Sequence, residues 1–357
     1  MNLVIRADAA LTIGNGHVMR CLTLAHALRQ RGVNTFFLCR PLPGDLIEYL
    51  RSQDMPVMVL PALDHPPSES AEQLLAHWPQ DAEQSLALLD GKTIDWLVVD
   101  HYGLDAQWHQ RMRTACQRLL VLDDLANRPL DADVLIDQNP GRHAQDYDAH
   151  LPVHTARYIG PSYALLHPSF SQLREQSLHR RQSAACRHLL ISMGGVDANN
   201  VTQAVLTALA KMELPADSRI TVVLGPHAPW RQAVAQAIAH MPVATQLLTN
   251  TARMAELMCE ADLAIGAAGT SALERCCMGL PCIQMVLANN QRTAAESLSQ
   301  QGAAITVNTQ ADLTQALPQA LKPLWETDRL QQMQLACAQV VDGLGVQRVL
   351  NEVMHVH

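Results

Sequence analysis

A histidine follows two closely spaced glycines in Ile13-Gly14-Asn15-Gly16-His17, directly ahead of a stretch of helical period at residues 18–31. Glycines let a backbone turn tightly and approach a ligand, and the start of a helix leaves amide N–H groups without partners. An imidazole placed there can move a proton near neutral pH, or can serve only as a helix-end or surface residue. The segment matches the dinucleotide fingerprint G-x-G-x-x-G/A in part. Met19, however, stands at the third position, where close helix–strand packing demands a small residue. The next strand-like run ends at Arg40 and not in an acid for a ribose diol, so the nicotinamide reading loses both discriminating features.

The strongest chemistry lies later, in Ile265-Gly266-Ala267-Ala268-Gly269-Thr270-Ser271-Ala272-Leu273-Glu274. An apolar run passes through minimal side chains into a helical stretch. The amides of Gly269, Thr270 and Ser271 are then free to cradle a pyrophosphate, with two hydroxyls alongside. Glu274, one turn further on, can accept from both hydroxyls of a ribose. A helix cap with a capping-box glutamate is the structural alternative, but it hardly explains four small residues in a row. Downstream, Ala288-Asn289-Asn290-Gln291 offers amides suited to sugar hydroxyls.

Three further segments sit where strand-like runs end. Val98-Val99-Asp100-His101-Tyr102-Gly103 closes on three polar side chains, as a site or as an ordinary turn with Asp100 taking backbone amides. Asp123-Asp124 could position a metal, though adjacent acids after a strand more often cap the turn. Ser192-Met193-Gly194-Gly195 suits close approach to a ligand, or simply a tight turn.

The elements that must hold these residues alternate. Strand-like runs at residues 3–7, 35–39, 57–60, 96–100, 119–122 and 134–136 are separated by amphipathic stretches such as 19–31 and 105–116. That grammar implies a parallel sheet covered by helices. It breaks at Gly160-Pro161, passes through a polar, basic stretch at 171–187, and restarts at 189–192, 220–224, 245–248, 263–265, 282–286 and 304–307. We expect an α/β protein of two Rossmann-like domains: residues 1–160, a linker or connecting helix at 161–187, a second domain at 188–325, and a helical tail at 326–357. The proline-rich piece 60–67 is expected as an exposed loop. Ligands in such folds sit beyond the carboxyl ends of the strands, where all the segments above fall.

Composition bounds the partners. Of 357 residues, 48% are hydrophobic and 17% charged, which describes packed globular domains. A net charge of −8 argues against broad nucleic-acid or anionic-membrane binding, but leaves room for a phosphate held by local amides. No apolar run is long enough to span a bilayer, and the first residues lack the features of a secretion signal. Nine cysteines without paired spacing read as reduced core thiols, so a cytoplasmic protein without bound metal is expected.

The motifs together resemble one family. Arg6-Ala7-Asp8, residues 13–21, Asp95-Trp96-Leu97-Val98-Val99-Asp100-His101-Tyr102, Leu122-Asp123-Asp124-Leu125-Ala126, Asp137-Gln138-Asn139 and Gly160-Pro161-Ser162-Tyr163 carry the likeness through the first half. Ser192-Met193-Gly194-Gly195, residues 261–266, Glu274-Arg275-Cys276-Cys277-Met278-Gly279-Leu280-Pro281 and Asn290-Gln291 continue it. The chain resembles the UDP-2,4-diacetamido-2,4,6-trideoxy-β-L-altropyranose hydrolases of pseudaminic acid biosynthesis. That resemblance implies a glycosyltransferase-B-like fold, with two domains facing across a cleft, the nucleotide on the second and no cofactor. It implies that His17 activates water, that Tyr102 lies with it at the sugar, and that Gly16, Asn290 and Gln291 contact the sugar. Ala268 and Leu273 stand where it implies a glycine and an aromatic. The alternatives in other classes are a UDP-sugar-dependent glycosyltransferase and a non-catalytic sugar-nucleotide-binding protein.

Overall fold

The computed structural model describes residues 1–62, 77–182, 185–226, 228–325 and 327–355. Two units divide the chain: residues 1–165 with 344–357, and residues 166–343.

The first unit is built on seven parallel strands, β1 (Asn2–Ala7), β2 (Asn34–Cys39), β3 (Val57–Val59), β4 (Ile94–Asp100), β5 (Cys116–Leu122), β6 (Val134–Asp137) and β7 (Ala156–Ile159). Their order is β3-β2-β1-β4-β5-β6-β7, every neighbouring pair parallel. The strands are apolar on both faces because both faces are covered. Leu3, Ile5, Trp96, Val98, Leu120 and Leu122 point into one core, while Val4, Leu97, Val99, Leu119 and Val121 point into the other. Successive side chains alternate sides at period two, so continuous apolar runs fill two helical layers at once. Chain order reverses between β1 and β4, which opens a crevice at their carboxyl ends.

The second unit repeats the plan with β8 (His188–Ser192), β9 (Arg219–Leu224), β10 (Ala244–Thr249), β11 (Leu263–Ala267), β12 (Cys282–Met285) and β13 (Ala304–Val307), ordered β10-β9-β8-β11-β12-β13. Its strands are also parallel, and its reversal falls between β8 and β11.

Two expected boundaries differ. The stretch 161–187 is no free linker: helix Pro168–Arg181 belongs to the second unit from its start. Its polar sequence hides this, since it docks through hydrogen bonds more than apolar area. Ser177 donates to the Met278 carbonyl at 2.7 Å, and buried Arg181 donates to the Ala261 carbonyl at 2.7 Å. The expected tail is split. Helix Thr327–Val340 packs Leu330 and Met333 into the second core, whereas Val346, Val349, Leu350 and Met354 return to the first. Gly345 permits that return, because a Cβ there would lie 2.3 Å from the Ala164 carbonyl oxygen. Of the proline-rich stretch, everything from residue 63 to 67 lies outside the described residues. Among the described residues no helix is long and apolar enough to cross a membrane.

Candidate active site

The crevice at the ends of β1 and β4 collects His17, Arg20, Asp100 and Tyr102. His17 is the second residue of helix Gly16–Gln30, and Asn15 ahead of it makes no side-chain cap bond. The imidazole is therefore not capping the helix; its Nδ1 hydrogen-bonds the Asp100 carboxylate. Asp100 ends β4 in register with Ala7 and is fully buried. Arg20, one turn after His17 on the same helix face, grips Asp100 through Nε to Oδ2 at 2.6 Å and Nη2 to Oδ1 at 2.7 Å. Burial alone would raise the Asp100 pKa, but the Arg20 guanidinium and His17 outweigh it and hold the carboxyl well below its usual range. An ionised carboxylate can only accept, so Nδ1 carries a proton and, in the neutral ring, the lone pair is on Nε2. Nε2 has no hydrogen-bond partner among the described residues. The ring is thus oriented, in one tautomer, with its basic nitrogen available.

Tyr102 packs edge-on against His17, ring centroids 4.4 Å apart, and burial, with Asp124 nearby, pushes its phenol well up from the usual value. The other polar residues nearby are spoken for. His101 accepts from the Gly103 amide at 3.0 Å and meets Asp8 at 3.2 Å. Asp8 in turn pairs with Arg6 at 2.6 Å. Asp123 caps its turn through the Leu125 and Ala126 amides at 3.0 and 2.9 Å and pairs with Arg128 at 2.6 Å. Its neighbour Asp124 turns the other way, to Arg20 at 3.4 Å. Among the described residues no group of His, Cys, Asp or Glu is placed to hold a metal ion.

The second unit gathers Gly269, Thr270, Ser271, Glu274 and Gln291 where β11 ends. The Ala268 amide donates to Met285, and then the chain enters helix Ser271–Cys277. The amides of Gly269, Thr270 and Ser271 donate to no acceptor among the described residues, and Thr270 supplies no side-chain cap. Gln291 accepts from the Leu287 amide at 2.9 Å, which sets its Nε2 beside Gly269. Asn290 lies in the same turn, Asn289–Gln291, already engaged in interactions of its own. Glu274 is half-buried and its carboxylate has no partner among the described residues. Burial pushes it up to about 7, opposed by Arg275.

The run of small residues has a partly structural cause. A Cβ on Gly266 would sit 2.6 Å from the Ser192 carbonyl, and Ala267 and Ala268 are buried in the same packing. Gly194 serves a turn, with φ at +88° and open space where a Cβ would stand, and the Gly195 carbonyl closes on Gly225, where a Cβ would lie 1.9 Å away. Asp100, which the sequence offered as a site residue or a turn cap, is the carboxylate that orients His17, while Asp8 pairs with Arg6. Sequence reasoning gave Arg20 no role, although the i, i+3 spacing from His17 carried that signal.

Two parallel-sheet α/β domains of this order define a glycosyltransferase-B fold. Residues 188–344 match the glycosyltransferase family 28 C-terminal domain. Over 99% of both chains the structure superimposes on MurG of Acinetobacter baumannii, with a TM-score of 0.71 and 19% identity. The chain is 29% identical to the spore coat polysaccharide biosynthesis protein SpsG of Bacillus subtilis, across 85% of this chain and 83% of that one. It is 26% identical to the UDP-2,4-diacetamido-2,4,6-trideoxy-β-L-altropyranose hydrolase of Campylobacter jejuni, across 60% of this chain and 68% of that one.

Proposed function

We propose that this protein is a nucleotide-sugar hydrolase that splits a UDP-linked diacetamido-trideoxy sugar into UDP and free sugar, as in pseudaminic acid biosynthesis. One observation carries the reading: Asp100, locked by Arg20, fixes His17 with Nε2 as a free base. His17 takes a proton from water as the water oxygen bonds to the anomeric carbon. The anomeric C–O bond breaks, and its electron pair leaves with the UDP oxygen. The amides of Gly269, Thr270 and Ser271 would meet the pyrophosphate, Glu274 the ribose, and Gly16, Asn290 and Gln291 the sugar. Amides and the helix end suffice for the phosphate charge, so turnover needs no metal. The likeness to the Campylobacter hydrolase supports the substrate class.

A glycosyltransferase is the second reading, favoured by the match to the family 28 C-terminal domain. Incubation with UDP-2,4-diacetamido-2,4,6-trideoxy-β-L-altropyranose, with and without an added sugar acceptor, separates the two. Hydrolysis predicts equal UDP release in both; release only with acceptor would establish transfer.

A further inference from the structure

A phenol at the ends of β5 and β6 meets more carboxylates than it has hydrogens. Tyr147 closes the short helical turn Ala144–Tyr147 and is fully buried. Its oxygen lies 3.1 Å from Asp123 Oδ2 and 2.9 Å from Asp137 Oδ2. Asp137 ends β6 and is fully buried as well. With both acids ionised, the single phenolic hydrogen could serve only one of these contacts, and two anions would face each other away from water. A phenolate would add a third negative charge, and burial with these two acids pushes the Tyr147 phenol well up. One carboxyl must therefore bring a hydrogen of its own.

The surroundings decide which. Asp123 pairs with Arg128 at 2.6 Å through Oδ1, and its Oδ2 accepts from the Leu125 and Ala126 amides. Burial would raise its pKa, but Arg128 and these amides outweigh burial and hold it below the usual value. Asp137 has the Asn139 amide at 2.9 Å on Oδ1. Arg142 stands 3.8 Å from Oδ2, and its Nη2 donates to the Asp124 and Leu125 carbonyls. From β7, Arg157 is committed to Asp148 and the Ala144 carbonyl, while Asp146 accepts from the His143 amide. From the first helix, Arg20 serves Asp100 and Asp124. Burial first, then the charges of Asp124 and Asp123, pushes the Asp137 carboxyl up to about 7 against the pull of the Asn139 amide.

We propose that Asp137 is held as a neutral carboxylic acid that donates to the Tyr147 oxygen while Tyr147 donates to Asp123, a one-way chain that ties the ends of β5 and β6 together and slackens as pH rises past neutral. The turn it braces also carries Asp124, which meets Arg20 at 3.4 Å. The folded pKa lies above the unfolded value of about 3.9, so the folded protein keeps a proton that the unfolded chain has released. Stability is therefore lost as pH climbs between the two values, and the loss is complete above the folded one.

Asp137→Asn tests this, because its amide copies the neutral acid: Oδ1 still accepts from the Asn139 amide, and Nδ2 donates to the Tyr147 oxygen. Thermal melts of wild type and variant, without ligand, are compared at pH 5.5 and pH 8. The Tm of the variant relative to wild type should rise by about 4–8 °C across that interval, in which only the folded wild type gives up the proton. Glu274, raised in the same way, is present in both proteins and cancels. An ionised Asp137 predicts a variant less stable than wild type at both pH values with no such rise, and that result overturns the inference. Wild type labelled with carboxyl-¹³C aspartate gives a readout that needs no variant to fold. One aspartate carbon should titrate near 7 by NMR; a protein whose aspartates all titrate below about 5, as ordinary ones do, overturns the inference equally.

Discussion

Replacing Asp100 by asparagine keeps the side-chain shape and removes the charge on which the base depends. Asp100 is fully buried and accepts two bonds from Arg20 and one from His17. Breaking a buried ion pair from one side costs about 3–5 kcal/mol, because the remaining charge is left uncompensated. At roughly 2–4 °C per kcal/mol, Tm should fall by about 6–20 °C. The catalytic loss has a separate cause: an amide N–H2 facing Nδ1 favours the tautomer with its hydrogen on Nε2, which is no base. Turnover should then drop on the order of 10²–10⁴-fold. The Asp100 pKa is depressed in the folded state, so its stabilisation is complete above the unfolded value of about 3.9 and lost only as pH falls through the folded value. The deficit of Asp100→Asn should therefore be constant from pH 5 to 8. Thermal melts at several pH values and kcat well below the variant's Tm read both effects. A folded Asp100→Asn with wild-type kcat would refute the reasoning.

Glu274→Gln should weaken UDP binding by about 1.5–3 kcal/mol, the range for charged hydrogen bonds. The gap between wild type and variant, read by calorimetry, should widen from pH 5.5 to 8 as the carboxyl ionises near 7; a pH-independent gap would place the ribose elsewhere. The folded pKa is raised above the unfolded one, so ionisation costs stability as pH rises from about 4.5 to 7. Without ligand, denaturant titration should find Glu274→Gln more stable than wild type at pH 8 and not at pH 5. Gly225→Ala should destabilise by about 1–3 kcal/mol through overpacking against Gly195, and an unchanged Tm would show that the loop yields freely.

The sheets were legible because buried parallel strands write apolar runs directly into the sequence, and all twelve runs became strands. The thirteenth, Ala156–Ile159, is a short edge strand of alternating Ala, Arg, Tyr and Ile, too brief to declare its period. The docking of helix Pro168–Arg181 and the return of residues 344–357 to the first unit were not legible. Both depend on hydrogen bonds and close approaches between segments far apart in sequence. His17, Tyr102 and the loop around Gly269 could be singled out because they follow strands. The orientation of the imidazole could not, since Asp100 is 83 residues from His17 in sequence. The glycine run overstated its own case: Gly266 is small for packing, which leaves Gly269 and Glu274, without a partner among the described residues, as the more informative residues.

The central claim is that His17 Nε2 is the base, in a unit separate from the nucleotide's. It is tested most directly by measuring kcat and UDP affinity on one preparation of His17→Asn. The account predicts UDP affinity equal to wild type by calorimetry, with kcat lower by about 10²–10⁴-fold. A variant that binds UDP normally and still releases it from the sugar nucleotide at near the wild-type rate would contradict the account.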